Sequence, residues 1–110
     1  MKRIYTYGHE QVQRNITIGD IIENKKNGLK MTQVTAQNKE EAEILSDQNI
    51  DMIITGSDSY EDVRSGAPNT FITAALFAGR FITKEDILKG AIEVAMKGAD
   101  SVLTPRSPEI

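Results

Sequence analysis

An apolar segment that runs into a cluster of small oxygen donors is the most chemically suggestive stretch of this chain: Ile53-Ile54-Thr55 continues as Gly56-Ser57-Asp58-Ser59. A carboxylate between two hydroxyls can ligate a hard cation, and the hydroxyls with nearby backbone N–H groups can hold a substrate carboxylate. The same Ser-Asp-Ser triplet can equally cap a short helix that follows it. Thr35, Thr55, Thr73 and Thr104 lie at or near the ends of four strand-like segments. They line a pocket with hydroxyls if the strand tips converge, and are simply good strand formers if they do not. Arg80 and Arg106 follow the third and fourth of these segments. There a guanidinium can clamp a carboxylate or phosphate with two parallel hydrogen bonds, or can be solvated or paired across a subunit contact. His9, the only histidine, has the right chemistry for a base near neutral pH, but its polar surroundings suit an exposed residue. Glu40, Glu41 and Glu43 read as the solvated face of a helix. Gly19, Gly28 and Gly56 are too scattered for a phosphate-binding fingerprint.

These residues need elements to position them. Residues 1–15 are polar and read as an irregular arm. Thr17 and Asp20 form a Thr-x-x-Asp start signal, Ile18, Ile21 and Ile22 make an apolar stripe, and Gly28 is a left-handed stop, which predicts a helix over 18–27. A first strand follows at 30–35. Asn38, with Glu41 three residues on, starts a helix that turns Ala42, Ile44 and Leu45 inward. The second strand, 51–55, is continuously apolar, as expected of a strand covered by helices on both faces. Tyr60 to Ser65 forms a short helix stopped by Gly66, and the third strand is Phe71-Ile72-Thr73-Ala74-Ala75. Thr83 and Asp86 open the clearest helix, 84–97, whose apolar side carries Ile87, Leu88, Ala91, Ile92, Val94 and Ala95. Gly98 ends it, the fourth strand runs over 101–104, and 105–110 form a tail. The second and fourth strands share an acidic entry, at Asp51 and Asp100. Helix, acidic turn, buried strand and polar tip is the repeating unit of a parallel α/β protein, whose ligands gather at the strand C-termini.

The chain has 110 residues, whereas a closed (β/α) barrel takes about 250. The fold expected is therefore a truncated, TIM-barrel-like half barrel of about four parallel strands with helices over 16–104. Left alone it exposes its inner face and two sheet edges, so self-association as a homodimer or larger assembly is expected. At 39% hydrophobic and 26% charged the composition is that of one globular domain. No apolar run is long enough for a membrane span, and the start lacks the pattern of a signal peptide. The absence of cysteine excludes disulfides and fits a cytoplasmic protein. A net charge of −3, with no basic cluster, argues against nucleic acid.

Thr17-Ile18-Gly19-Asp20-Ile21-Ile22, Lys25-Lys26-Asn27-Gly28-Leu29-Lys30 and Val34-Thr35-Ala36 resemble the start of the ketopantoate hydroxymethyltransferase (3-methyl-2-oxobutanoate hydroxymethyltransferase) family, within the phosphoenolpyruvate mutase/isocitrate lyase group of barrels. The likeness continues through Glu41-Ala42, Ile50-Asp51-Met52-Ile53-Ile54 and Gly56, and returns at Glu85-Asp86-Ile87-Leu88 and Gly98-Ala99-Asp100-Ser101-Val102. It spans roughly 16–104 and corresponds to the N-terminal half of such an enzyme. It implies an aldol-type transfer in the pantothenate pathway: magnesium holds an α-keto acid, and hydroxymethyl from methylenetetrahydrofolate adds to its enolate, whose charge the metal stabilises. Carried onto this chain, the resemblance makes Asp58 the metal ligand, if the turn has gained one residue, with Ser57 or Ser59 on the substrate carboxylate; Thr35 and Arg80, read from their own chemistry above, are the further groups expected to meet a small anionic substrate. The chain departs from the pattern at Ala75, where the third strand would offer an aspartate, and at Leu103 and Pro105, where the fourth would offer lysine and glutamate. An alanine cannot bind a metal and a leucine cannot act as acid or base. Those groups would have to come from a partner subunit. The alternative is a non-catalytic oligomeric binding or structural module derived from such a barrel.

Overall fold

The computed structural model describes residues 1–77 and 83–104; the tail expected at 105–110 lies outside them. The elements, in order, are β1 (Lys2–Tyr5), β2 (Gln11–Arg14), α1 (Ile18–Lys26), β3 (Gln33–Thr35), α2 (Lys39–Ser46), β4 (Met52–Gly56), α3 (Tyr60–Gly66), β5 (Phe71–Ala75), α4 (Lys84–Met96) and β6 (Ser101–Leu103). The last four strands form one sheet in the order β3-β4-β5-β6, every neighbouring pair parallel. Strands adjacent in sequence are adjacent in space, as successive crossovers of one hand require. This is the mixed α/β architecture expected, and it is compatible with half of a (β/α) barrel. Among the described residues no helix is long and apolar enough to cross a membrane.

Local chemistry sets the helix ends where the spacing predicted them. Thr17 Oγ1 accepts from the Asp20 N–H, and the Asp20 carboxylate accepts from the Thr17 N–H, a reciprocal capping box. Asn38 caps α2 by accepting from Glu41 N, and Thr83 caps α4 by accepting from Asp86 N. Gly28 and Gly98, at φ 71° and 110°, turn the chain out of α1 and α4 in the left-handed conformation that suits glycine.

The N-terminal arm departs from expectation. Residues 2–14 form an antiparallel hairpin, with Ile4 opposite Val12 and Lys2 opposite Arg14. Its turn is held by Thr6, whose N–H donates to Glu10 O and whose carbonyl accepts from His9 N, both at 2.9 Å. The polar residues that made this stretch look irregular alternate with Ile4 and Val12, which is the pattern of a half-covered strand.

β4 also differs. Ile53 and Thr55 are buried while Met52, Ile54 and Gly56 are half-buried, so helices cover one face of the sheet and the other is open except at its start, where Phe71, in register with Met52, is buried. The covered face builds the core, from Ala36 through Ile53, Tyr60, Val63 and Ile72 to Val94. Each fully buried isoleucine contributes about 2 kcal/mol from the apolar area removed from water. β4 reads as continuously apolar because its open face carries Met52 and Ile54, side chains of the kind that fill the interior of a closed barrel. Three helical residues expected to face inward, Ile44, Leu88 and Ile92, are exposed. Each helix lies on the sheet along a narrow line, Ala42 in α2 and Val94 in α4; Ile44 and Ile92, two positions from these, fall on the far side of their helices and stay in water.

Candidate functional site

Because the four sheet strands are parallel, their C-terminal ends share one rim, formed by Thr35, Gly56, Ala75 and Leu103. Beyond β4 the chain makes a tight turn. Ser57 N donates to Ala75 O at 2.9 Å, and Ser59 N donates to Gly56 O at 3.0 Å. Ser59 occupies the N-cap position of α3, yet its hydroxyl makes no capping hydrogen bond. Thus the Ser-Asp-Ser triplet does not cap α3 through Ser59. The Phe77 ring lies on the same rim, against Gly56; a Cβ at position 56 would fall 2.6 Å from it. Only glycine leaves room for that approach. Phe77, two residues past the end of β5, went unnoticed in the sequence because nothing local marks a ring that folds back over a neighbouring strand.

Asp58 is exposed, and its charge acts on Lys97. The Lys97 ammonium is held above its usual value, first by the hydrogen bond to Glu61 and further by the nearby charges of Glu93 and Asp58. Lys97 Nζ lies 2.8 Å from Glu61 and 3.9 Å from Glu93. Among the described residues no three His, Cys, Asp or Glu side chains converge as metal ligands. Magnesium can be held through one or two carboxylates with water and substrate filling its remaining positions. Asp58 is the carboxylate that the Ser57-Asp58-Ser59 turn offers for such a role.

The four threonines do not ring a pocket. Thr35 pairs in register with Ile54, Ile54 with Thr73, and Thr73 with Ser101, which sets Thr35 and Thr73 in one row on the open face. Two strand spacings separate them, roughly 10 Å. Thr55 belongs to the opposite, helix-covered face, where its Oγ1 is buried with no hydrogen-bond partner. Thr104 follows β6 and is exposed. The Thr55 hydroxyl therefore carries a desolvation cost. Thr55→Val, which keeps the shape, is expected to leave stability unchanged or raise it by up to about 1 kcal/mol in thermal unfolding. Arg80 and Arg106 lie outside the described residues. His9 is exposed in the hairpin turn at φ 65°, and the Glu40, Glu41 and Glu43 side of α2 faces water as expected.

The opposite rim, at the strand N-termini, holds an ion cluster that the spacing of residues did not reveal. Asp100 immediately precedes β6. Both its carboxylate oxygens accept from Arg14 Nε, at 2.8 and 2.9 Å, and one also accepts from Arg64 Nη2 at 2.9 Å and from Ile72 N at 3.0 Å. The guanidinium groups spend their other donors on backbone carbonyls: Arg14 on Gln13, Pro68 and Gly98, Arg64 on Ala67, Thr70 and Gly98. Arg64 Nε also donates to the Tyr60 hydroxyl at 2.8 Å. Burial pushes that phenol above its usual pKa, against the opposing pull of the guanidinium. Beside this cluster Asn15 accepts from Phe71 N and donates to Asp51 O, while Asp51 accepts from Thr32 N. The acidic strand entries at Asp51 and Asp100 thus stitch neighbouring strands together at their starts. With its hydrogen bonds met inside the fold, this rim is built for stability. A groove of about 590 Å³, mostly apolar, lies between the hairpin, the start of α1, the end of α4 and β6, with Tyr5, Tyr7, Phe71 and Val102 among its walls.

Comparison with known protein families, with curated proteins and with solved structures found no match for this chain. The likeness to the hydroxymethyltransferases rests on the residues quoted for it above.

Proposed function

We propose that the sheet is half of a (β/α) barrel and that its C-terminal rim binds a small carboxylate, of the α-keto acid class, at Ser57, Asp58 and Ser59. The observation that carries this reading is Ser59: a serine at a helix N-cap ordinarily spends its hydroxyl on the helix, and here it does not. That leaves a hydroxyl beside the exposed Asp58 and beside Ser57, at the end of a parallel sheet where α/β proteins place their ligands. Thr35 and Thr73 add hydroxyls on the open face of the same sheet. In this reading magnesium arrives with the keto acid, and Asp58 supplies its one carboxylate from this chain. Any chemistry would be a hydroxymethyl or related aldol-type transfer, with methylenetetrahydrofolate as donor and the missing acid and base drawn from a partner.

A non-catalytic binding or structural module is the second reading. It is favoured by the Phe77 ring against Gly56, which takes up part of the rim. Calorimetric titration of magnesium with and without 3-methyl-2-oxobutanoate separates the two. Metal-dependent binding of the keto acid is expected, weakened at least about tenfold, or about 1.4 kcal/mol, in Asp58→Ala. Absence of heat, or equal binding by Asp58→Ala, would leave the non-catalytic module as the better reading.

A further inference from the structure

We infer that a second copy of this chain closes the sheet, with β6 of each copy pairing with β3 of the other. The inference rests on the half-barrel reading and adds to it the partner and the edges that meet. Four parallel strands in sequential order leave β3 and β6 as the two edges of the sheet among the described residues. A two-fold axis along the strand direction keeps every strand parallel, so β6 meets the partner's β3 in parallel and the partner's β6 meets β3 by symmetry. The product is eight parallel strands with no edge left, the number that closes into a barrel with its interior filled by side chains. Pairing β6 with β6, or β3 with β3, would leave two edges open.

The edges themselves favour this occupant. Solitary proteins guard sheet edges with lysine, proline or inward-pointing charge. Neither Gln33-Val34-Thr35 in β3 nor Ser101-Val102-Leu103 in β6 carries a charge or a proline. Apolar side chains are exposed in both: Val34 is 37% exposed in one edge strand and Leu103 54% in the other. The groove beside β6 is walled on one side by Ser101, Val102, Ala95 and Ala99 and on the other by Ile4, Tyr5 and Tyr7 of the hairpin, so an apolar surface continues beside the edge strand. Gln33, Thr35 and Leu103 all belong to the open face by register, which a closed barrel turns inward.

The chain has no cysteine, so introduced thiols report these contacts without background. Within one copy the two edges stand three strand spacings apart, about 14 Å, beyond the roughly 7 Å that a disulfide can span between Cα atoms. Under mild oxidation Leu103→Cys combined with Gln33→Cys, or with Thr35→Cys, is expected to give a covalent dimer in at least about fivefold excess over either single-cysteine variant. Light scattering of the parent chain is expected to give twice its 12.2 kDa mass, and Leu103→Lys to return a monomer with an unchanged circular dichroism spectrum. A folded monomer at micromolar concentration, a dimer that neither cysteine pair cross-links, or a Leu103→Lys chain that remains dimeric would each overturn the inference. A monomer that still binds magnesium and 3-methyl-2-oxobutanoate through Asp58 would overturn the closure alone; loss of that binding in an edge-paired dimer would overturn the keto-acid site alone.

Discussion

Asp100→Ala is expected to cost about 3–5 kcal/mol, a large share of the roughly 5–15 kcal/mol that holds a domain together. Asp100 and Arg14 are each only 3% exposed in their side chains and Arg64 is 15% exposed. Removing the carboxylate therefore leaves two buried guanidinium groups without their anion and strands three charge-assisted hydrogen bonds plus the Ile72 N–H. The net worth of such a cluster relative to apolar packing is small, because desolvating the charges offsets most of their attraction. Breaking it by deleting one partner is the costly operation. Asp100→Asn keeps the size and some of the hydrogen bonds but not the charge, so an intermediate loss is expected. Urea unfolding followed by circular dichroism measures both. A stability within 1 kcal/mol of the parent for Asp100→Ala would mean that water enters this rim freely, and that the cluster does not hold the hairpin to the sheet.

Gly66→Ala should be the next most damaging change at a single position. A Cβ there would lie 2.3 Å from the Lys39 carbonyl oxygen, 3.0 Å from Ala42 Cβ and 3.1 Å from Glu43 N. Two of these are backbone atoms of α2, and Ala42 is itself fully buried, so α2 and α3 would have to separate. Alanine gains about 1 kcal/mol over glycine in helix propensity. Overpacking against rigid backbone costs about 1–3 kcal/mol and more when a helix must move, so the steric effect wins. A net loss of at least about 2 kcal/mol, with a lowered unfolding midpoint, is expected. Equal or higher stability would show that the two helices have slack at their contact.

How much of this was legible in the chain follows from the range of each interaction. Thr17, Asn38 and Thr83 cap their helices through bonds that close within three residues, and those starts were readable. The parallel strands were readable because each is short, apolar and bounded by turn residues. The faces of the strands were not. Thr55 and Thr73 sit in similar-looking segments, yet the register of β4 against β5 sets Thr55 opposite Ala74 and Thr73 opposite Ile54, which puts the two threonines on opposite faces. One residue of offset reverses every side chain, and the sequence does not number its own register. Arg14 and Asp100 lie 86 positions apart, so no spacing rule could join them. At the candidate site the Ser57-Asp58-Ser59 turn was visible from composition. Phe77, whose ring lies over Gly56 at the start of that turn, follows another strand and became visible only once the strands were side by side.

The two rims of the sheet therefore divide the work: the N-terminal rim is stitched by Arg14, Asn15, Asp51 and Asp100, and the C-terminal rim carries the proposed chemistry. Amide chemical-shift mapping on the isotope-labelled chain, titrated with 3-methyl-2-oxobutanoate and magnesium, tests that division most directly. The largest shifts are expected at Ser57, Asp58 and Ser59, with smaller ones at Thr35 and Thr73, while Arg14, Asn15 and Asp100 stay still. No shifts at saturating keto acid, or shifts centred on the groove at Tyr5 and Ser101, would contradict it.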